Sequence, residues 1–104
     1  MPWYLYIAYF LGGALCVNAI PHFINGVSGR PFPSPFASPP GRGMSSPIIN
    51  VLWGMFNLFV GYLLIFRGEP PFFPGNRAAL LVGVGGLVMA IQLASWFGRA
   101  GRDQ

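Results

Sequence analysis

The side chains that could carry chemistry here are few, and most are amides. The single histidine, His22, lies between Asn18 and Asn25, so the three share one face of any helix that runs on through Pro21. Asn50 and Asn57 stand seven apart in a second, strongly apolar stretch. An imidazole among amides can hold a fold together by bonding loop backbone, bind a polar solute, respond to pH, or give one axial ligand to a haem or pigment. Asn18, His22, Asn25, Asn50 and Asn57 are therefore expected as a polar cluster at the loop end of a helix pair. Ser45 and Ser46 would stand beside it, with Arg30 or Arg42 in reach.

No cofactor is predicted. Haem or pigment ligation through His22 is the one cofactor chemistry left open, and nothing else in the chain flags it. Metal catalysis needs three or more ligands, which this chain cannot supply alone. Enzyme chemistry fares no better. Ser45 and Ser46 are candidate nucleophiles with His22 as base, but the acids are only Glu69 and Asp103. There is no glycine-flanked serine elbow and no phosphate loop. Gly83, Gly85 and Gly86 have part of a nucleotide-loop spacing, yet they lie inside an apolar run. The expectation is a protein that is not an enzyme.

The elements that must position these residues follow from composition. Of 104 residues, 54% are hydrophobic and 8% charged, against roughly 25% charged in soluble domains. A soluble domain of this size needs more polar surface than that. The chain reads as one all-α integral membrane domain, residues 1–104, with three transmembrane helices. The spans fall at about 3–20 (or 3–25 if the helix survives Pro21), 48–66 and 78–97. The first reads as a retained span, because no basic segment precedes it and no cleavage site follows it. Trp3, Tyr4 and Tyr6 at one end, and Trp96 and Phe97 at the other, suit headgroup depth. Cys16, the lone cysteine, is expected as a packing residue.

A long Pro/Gly-rich loop, 26–47, joins the first two spans. Pro31, Pro33 and Pro35 favour extended polyproline II geometry. Phe32 and Phe36, with Arg30 and Arg42, are expected to anchor the loop against the membrane surface or the helices. Ser46 before Pro47 is a helix-start signal. Arg67-Gly68-Glu69-Pro70-Pro71 stops the second helix.

Small residues recur at helical spacing in each span. Ala8, Gly12, Cys16 and Ala19 line the first, and Asn50, Gly54, Asn57 and Gly61 the second. Ala79, Gly83, Gly86, Ala90 and Ala94 line the third. Small side chains let helices approach closely in lipid, so Gly12, Gly54, Gly61, Gly83, Gly86 and Ala90 are the expected packing residues.

The net charge of +4 comes from six dispersed arginines, with no lysine. They suit membrane anchoring rather than nucleic acid, which needs a clustered patch. Arg30, Arg42, Arg99 and Arg102 fall on one side of the membrane and Arg67 and Arg77 on the other. The loop and C-terminus are then cytoplasmic and the N-terminus outside, in a bacterial-type inner membrane. The partners expected are lipid, other membrane subunits, or further copies of the chain. The leading expectation is a structural or accessory subunit, packing through small residues and docking through its Pro-rich loop. The alternative is a homo-oligomeric transporter or channel with an Asn/His-lined path. A weaker one is a cofactor or enzyme subunit centred on His22.

Overall fold

The computed structural model describes residues 2–66 and 75–102. It contains three long helices: α1 (Trp3–Val27), α2 (Pro47–Phe66) and α3 (Asn76–Arg102). All three are long and apolar enough to cross a membrane. At ~1.5 Å per residue, the 25 residues of α1 reach about 37 Å, beyond a ~30 Å hydrocarbon core. The chain is an all-α membrane protein with a long loop between its first two helices. The connection at 67–74 and the side chain of Arg102 lie outside the described residues.

α1 passes through Pro21 without ending. Proline removes one helix hydrogen bond and crowds the preceding turn, so the segment beyond it needs other support. Asn25 supplies it: its side-chain Nδ2 donates to the Pro21 carbonyl at 2.8 Å. Arg30 then grips Asn25 twice. Its Nε donates to Asn25 Oδ1 at 3.0 Å, and its backbone N–H donates to the Asn25 carbonyl at 2.9 Å.

The loop is a compact, folded structure. Phe32–Pro33 (β1) pairs antiparallel with Met44–Ser45 (β2), with Phe32 opposite Ser45. Extended geometry therefore stops at Pro33. From Ser34 the chain turns, and the Ser34 carbonyl accepts from the backbone N–H groups of Ala37 and Gly41. The Ser34 hydroxyl also accepts from Phe36 N–H at 3.1 Å. Local serine and backbone bonding displaces the polyproline geometry that the prolines favour. α2 then starts as its sequence dictates: Ser46 Oγ accepts from Ile49 N–H at 3.2 Å, and Pro47 takes the first helical position.

α1 is the central helix. It packs along both α2 and α3, which scarcely meet each other. On the α2 side, Gly12 and Gly61 face each other's backbone. A Cβ at Gly61 would come within 2.9 Å of the Gly12 carbonyl oxygen and 2.7 Å of Cys16 Sγ, and one at Gly54 within 2.9 Å of Phe23 N. On the α3 side the approach is closer still. A Cβ at Gly13 would collide with the Val82 carbonyl, and one at Gly85 with the Phe10 carbonyl. These two glycines set the crossing.

The buried face of α3 therefore contains Ala78, Gly85 and Gly86. This corrects the expected stripe on the third helix. Gly86 packs, 2.9 Å from Val17 if given a Cβ, but Gly83 has nothing within 4 Å and Ala90 is exposed. The physical reason is that contact at Gly13 and Gly85 rotates Gly83 and Ala90 away from α1.

Two glycines two residues apart should thus respond oppositely to alanine. Gly85→Ala is expected to destabilise the protein by ~1–3 kcal/mol or more through overpacking. Gly83→Ala is expected to be neutral or stabilising by up to about 1 kcal/mol from helix propensity. Thermal unfolding of the two variants in one mild detergent checks this; equal destabilisation would refute the crossing.

Candidate functional site

Helical spacing places Asn50, Gly54, Asn57, Gly61 and Ile65 on the buried face of α2. The glycines let α1 approach, and the approach brings α1's polar residues against the two asparagines. Both amides are sealed off: Asn50 has 0% exposure and Asn57 2%. His22, on α1, has 3%. A polar group so buried is costly unless bonded, and each of the three is bonded.

Asn50 is the hub. Its Nδ2 lies 3.0 Å from the Phe32 carbonyl, 3.1 Å from that of Ser46 and 3.3 Å from that of Ser45. Carbonyl oxygens only accept, so the amide nitrogen must face them. Oδ1 is then left for His22 Nδ1, at 2.8 Å. An oxygen there also only accepts, so Nδ1 carries the proton. In the neutral ring the second nitrogen, Nε2, then keeps its lone pair, and it has no hydrogen-bond partner among the described residues.

The imidazole sits in an aromatic cage. Phe32, Phe97 and Trp53 approach it edge to face, with ring centroids at 5.4, 6.3 and 6.5 Å. Phe32 packs against Phe97 at 4.7 Å, and Phe36 stands edge-on to Trp53 at 5.1 Å. The loop, α2 and the end of α3 contribute the walls around this α1 side chain. Trp53 Nε1 is buried there without a hydrogen-bond partner.

No protein-family model, curated protein or solved structure matches this chain. What the site can do must come from its own geometry.

A second amide pair lies deeper. Asn57 Nδ2 donates to the Trp53 carbonyl at 2.8 Å, and its Oδ1 accepts from Asn18 Nδ2 at 3.0 Å. Asn57 falls at the middle of α2, seven residues or about 10 Å of helix rise from Asn50. Above Asn50, Ser34 and Ser45 bond each other through their hydroxyls, both buried. The α1–α2 seam therefore carries buried polar groups from beneath the loop to the centre of the span.

Not every polar residue joins this seam. Asn25 bonds its own helix and Arg30, away from His22. Arg42 lies over the Trp96 ring, 5.4 Å from its centroid, while Trp96 Nε1 donates to the Gly41 carbonyl at 2.8 Å. The anchors differ in kind: Phe32 closes the cage, whereas Phe36 is 63% exposed. Sequence reasoning missed Ser34, Trp53 and Phe97. A signal existed for Trp53, which stands three after Asn50 and four before Asn57, beside both amides. Phe97 and Ser34 depend on how the loop folds back, which no local spacing encodes. Among the described residues no group of three metal-ligating side chains occurs.

Two outcomes are expected. Nitrogen NMR of labelled protein should show His22 as the Nδ1–H tautomer; an Nε2–H ring would refute the Asn50 orientation. Asn50→Leu should cost about 2–3 kcal/mol or more, because the His22 donor and the loop carbonyls lose their shared partner in a buried place. Denaturation in detergent, with proteolysis of the loop as a second readout, checks it.

Proposed function

We propose that this chain is the subunit of a homo-oligomeric membrane transporter or channel for small, neutral, hydrogen-bonding solutes. The observation that carries the proposal is the run of amide and imidazole groups along the α1–α2 seam, continued above Asn50 by the buried Ser34 and Ser45 hydroxyls of the loop. Polar residues at mid-membrane are costly and are characteristic of solute paths. Asn18 and Asn57 bond each other through groups that a solute with both donor and acceptor character can replace one for one. The seam holds no carboxylate and no lysine, which favours neutral solutes over ions. Self-association is supported by the largely bare outer faces of α2 and α3. The loop and C-terminus lie on the cytoplasmic side, on the balance of arginines. On this reading the chain is not an enzyme.

The bare faces equally favour a second reading, an accessory subunit docked on a larger membrane protein. In that case the amide pairs serve only as interhelical bonds, worth roughly 0.6–2 kcal/mol each.

Flux into proteoliposomes separates the two. With urea and glycerol as probes, the protein should accelerate entry over empty vesicles. Asn57→Leu should lower that rate at least about tenfold, the ~1.4 kcal/mol loss expected of a removed path contact, with the intact mass unchanged. Vesicles no more permeable than empty ones, from protein that co-migrates with larger partners on mild extraction, would establish the accessory reading instead.

A further inference from the structure

The loop end of α3 carries a second group of polar side chains that the seam does not use. Gln92, Ser95 and Arg99 stand at i, i+3 and i+7, one side of the helix. They line a groove of about 440 Å³ with Trp96, Met89 and Leu93 among its walls. None of the three makes a side-chain hydrogen bond or ion pair with a described residue. Trp96 has its Nε1 committed to the Gly41 carbonyl and its ring beside the Arg42 guanidinium.

We infer that this groove binds an anionic phospholipid. The argument is one of charge and depth. Arg99 stands at the end of the span, where a guanidinium meets the headgroup layer and pairs with phosphate through its forked donors. Ser95 lies about 6 Å, and Gln92 about 10 Å, further along the helix into the membrane. That order matches a phospholipid: phosphate outermost, then glycerol and ester oxygens that accept hydrogen bonds from hydroxyl and amide, then acyl chains against Met89. A free anion would engage Arg99 alone and leave Gln92 facing hydrocarbon without a partner. The amide at that depth is what selects a lipid.

The test uses native mass spectrometry of the whole protein in mild detergent, titrated with phosphatidylglycerol and with phosphatidylcholine of the same acyl chains. Wild type should retain phosphatidylglycerol about fivefold more strongly, the scale set by one guanidinium at an anionic surface. Arg99→Gln with Gln92→Leu should bring the two lipids to parity at unchanged helical circular dichroism; both residues are exposed, so folding is spared. Equal retention by wild type, or a preference that survives in the double variant, would overturn the assignment. So would displacement of the bound lipid by an equal concentration of inorganic phosphate.

Discussion

The Asn50 side chain, wholly withdrawn from solvent, ties the loop strands, the start of α2 and α1 together through one group. Its nitrogen takes the carbonyls of β1, of β2 and of the residue that precedes α2, and its oxygen takes the imidazole of α1. In an apolar medium no water stands ready to replace those partners. The loop's shape, the histidine's tautomer and the entry of α2 are therefore fixed together. The cage of Phe32, Trp53 and Phe97 shares these bonds, because the Phe32 whose carbonyl Asn50 holds is one of its walls.

Backbone proximity supplies the other constraint. α1 meets α2 through Gly12, Gly54 and Gly61, and α3 through Gly13 and Gly85. The glycines bring the helices near enough for short amide side chains to bond across the seam. With a larger residue at Gly54 or Gly61, the same asparagines would face apolar surface without partners. Packing and polarity are one device here: the small residues make the distance, and the amides use it.

How much of this could be read beforehand differs by element. The three spans are plain in the chain, because length and apolar content suffice once water is replaced by lipid. The buried face of α2 is equally plain, since Asn50, Gly54, Asn57 and Gly61 mark it by type. α3 is different. It carries small residues on more than one side, and only the collision geometry at Gly13 and Gly85 decides which side is buried, so Gly83 and Ala90 fall outside. The loop was the least legible element. Its prolines restrict single residues, whereas its course is set by Ser34, by Asn50, and by contacts to Trp96 and Phe97 far away in sequence.

The position of Trp96 and Phe97 has a consequence for biosynthesis. α1 emerges first, so each later helix finds its partner already inserted. The loop does not share that advantage. Its Gly41 carbonyl awaits Trp96, 55 residues further on, and one wall of the histidine cage is Phe97. A ribosome that has released only the first two helices leaves the imidazole open on that side. The polar centre is thus sealed by α3, the last of the three helices to be translated, and closure of the cage reports that all three have entered the membrane.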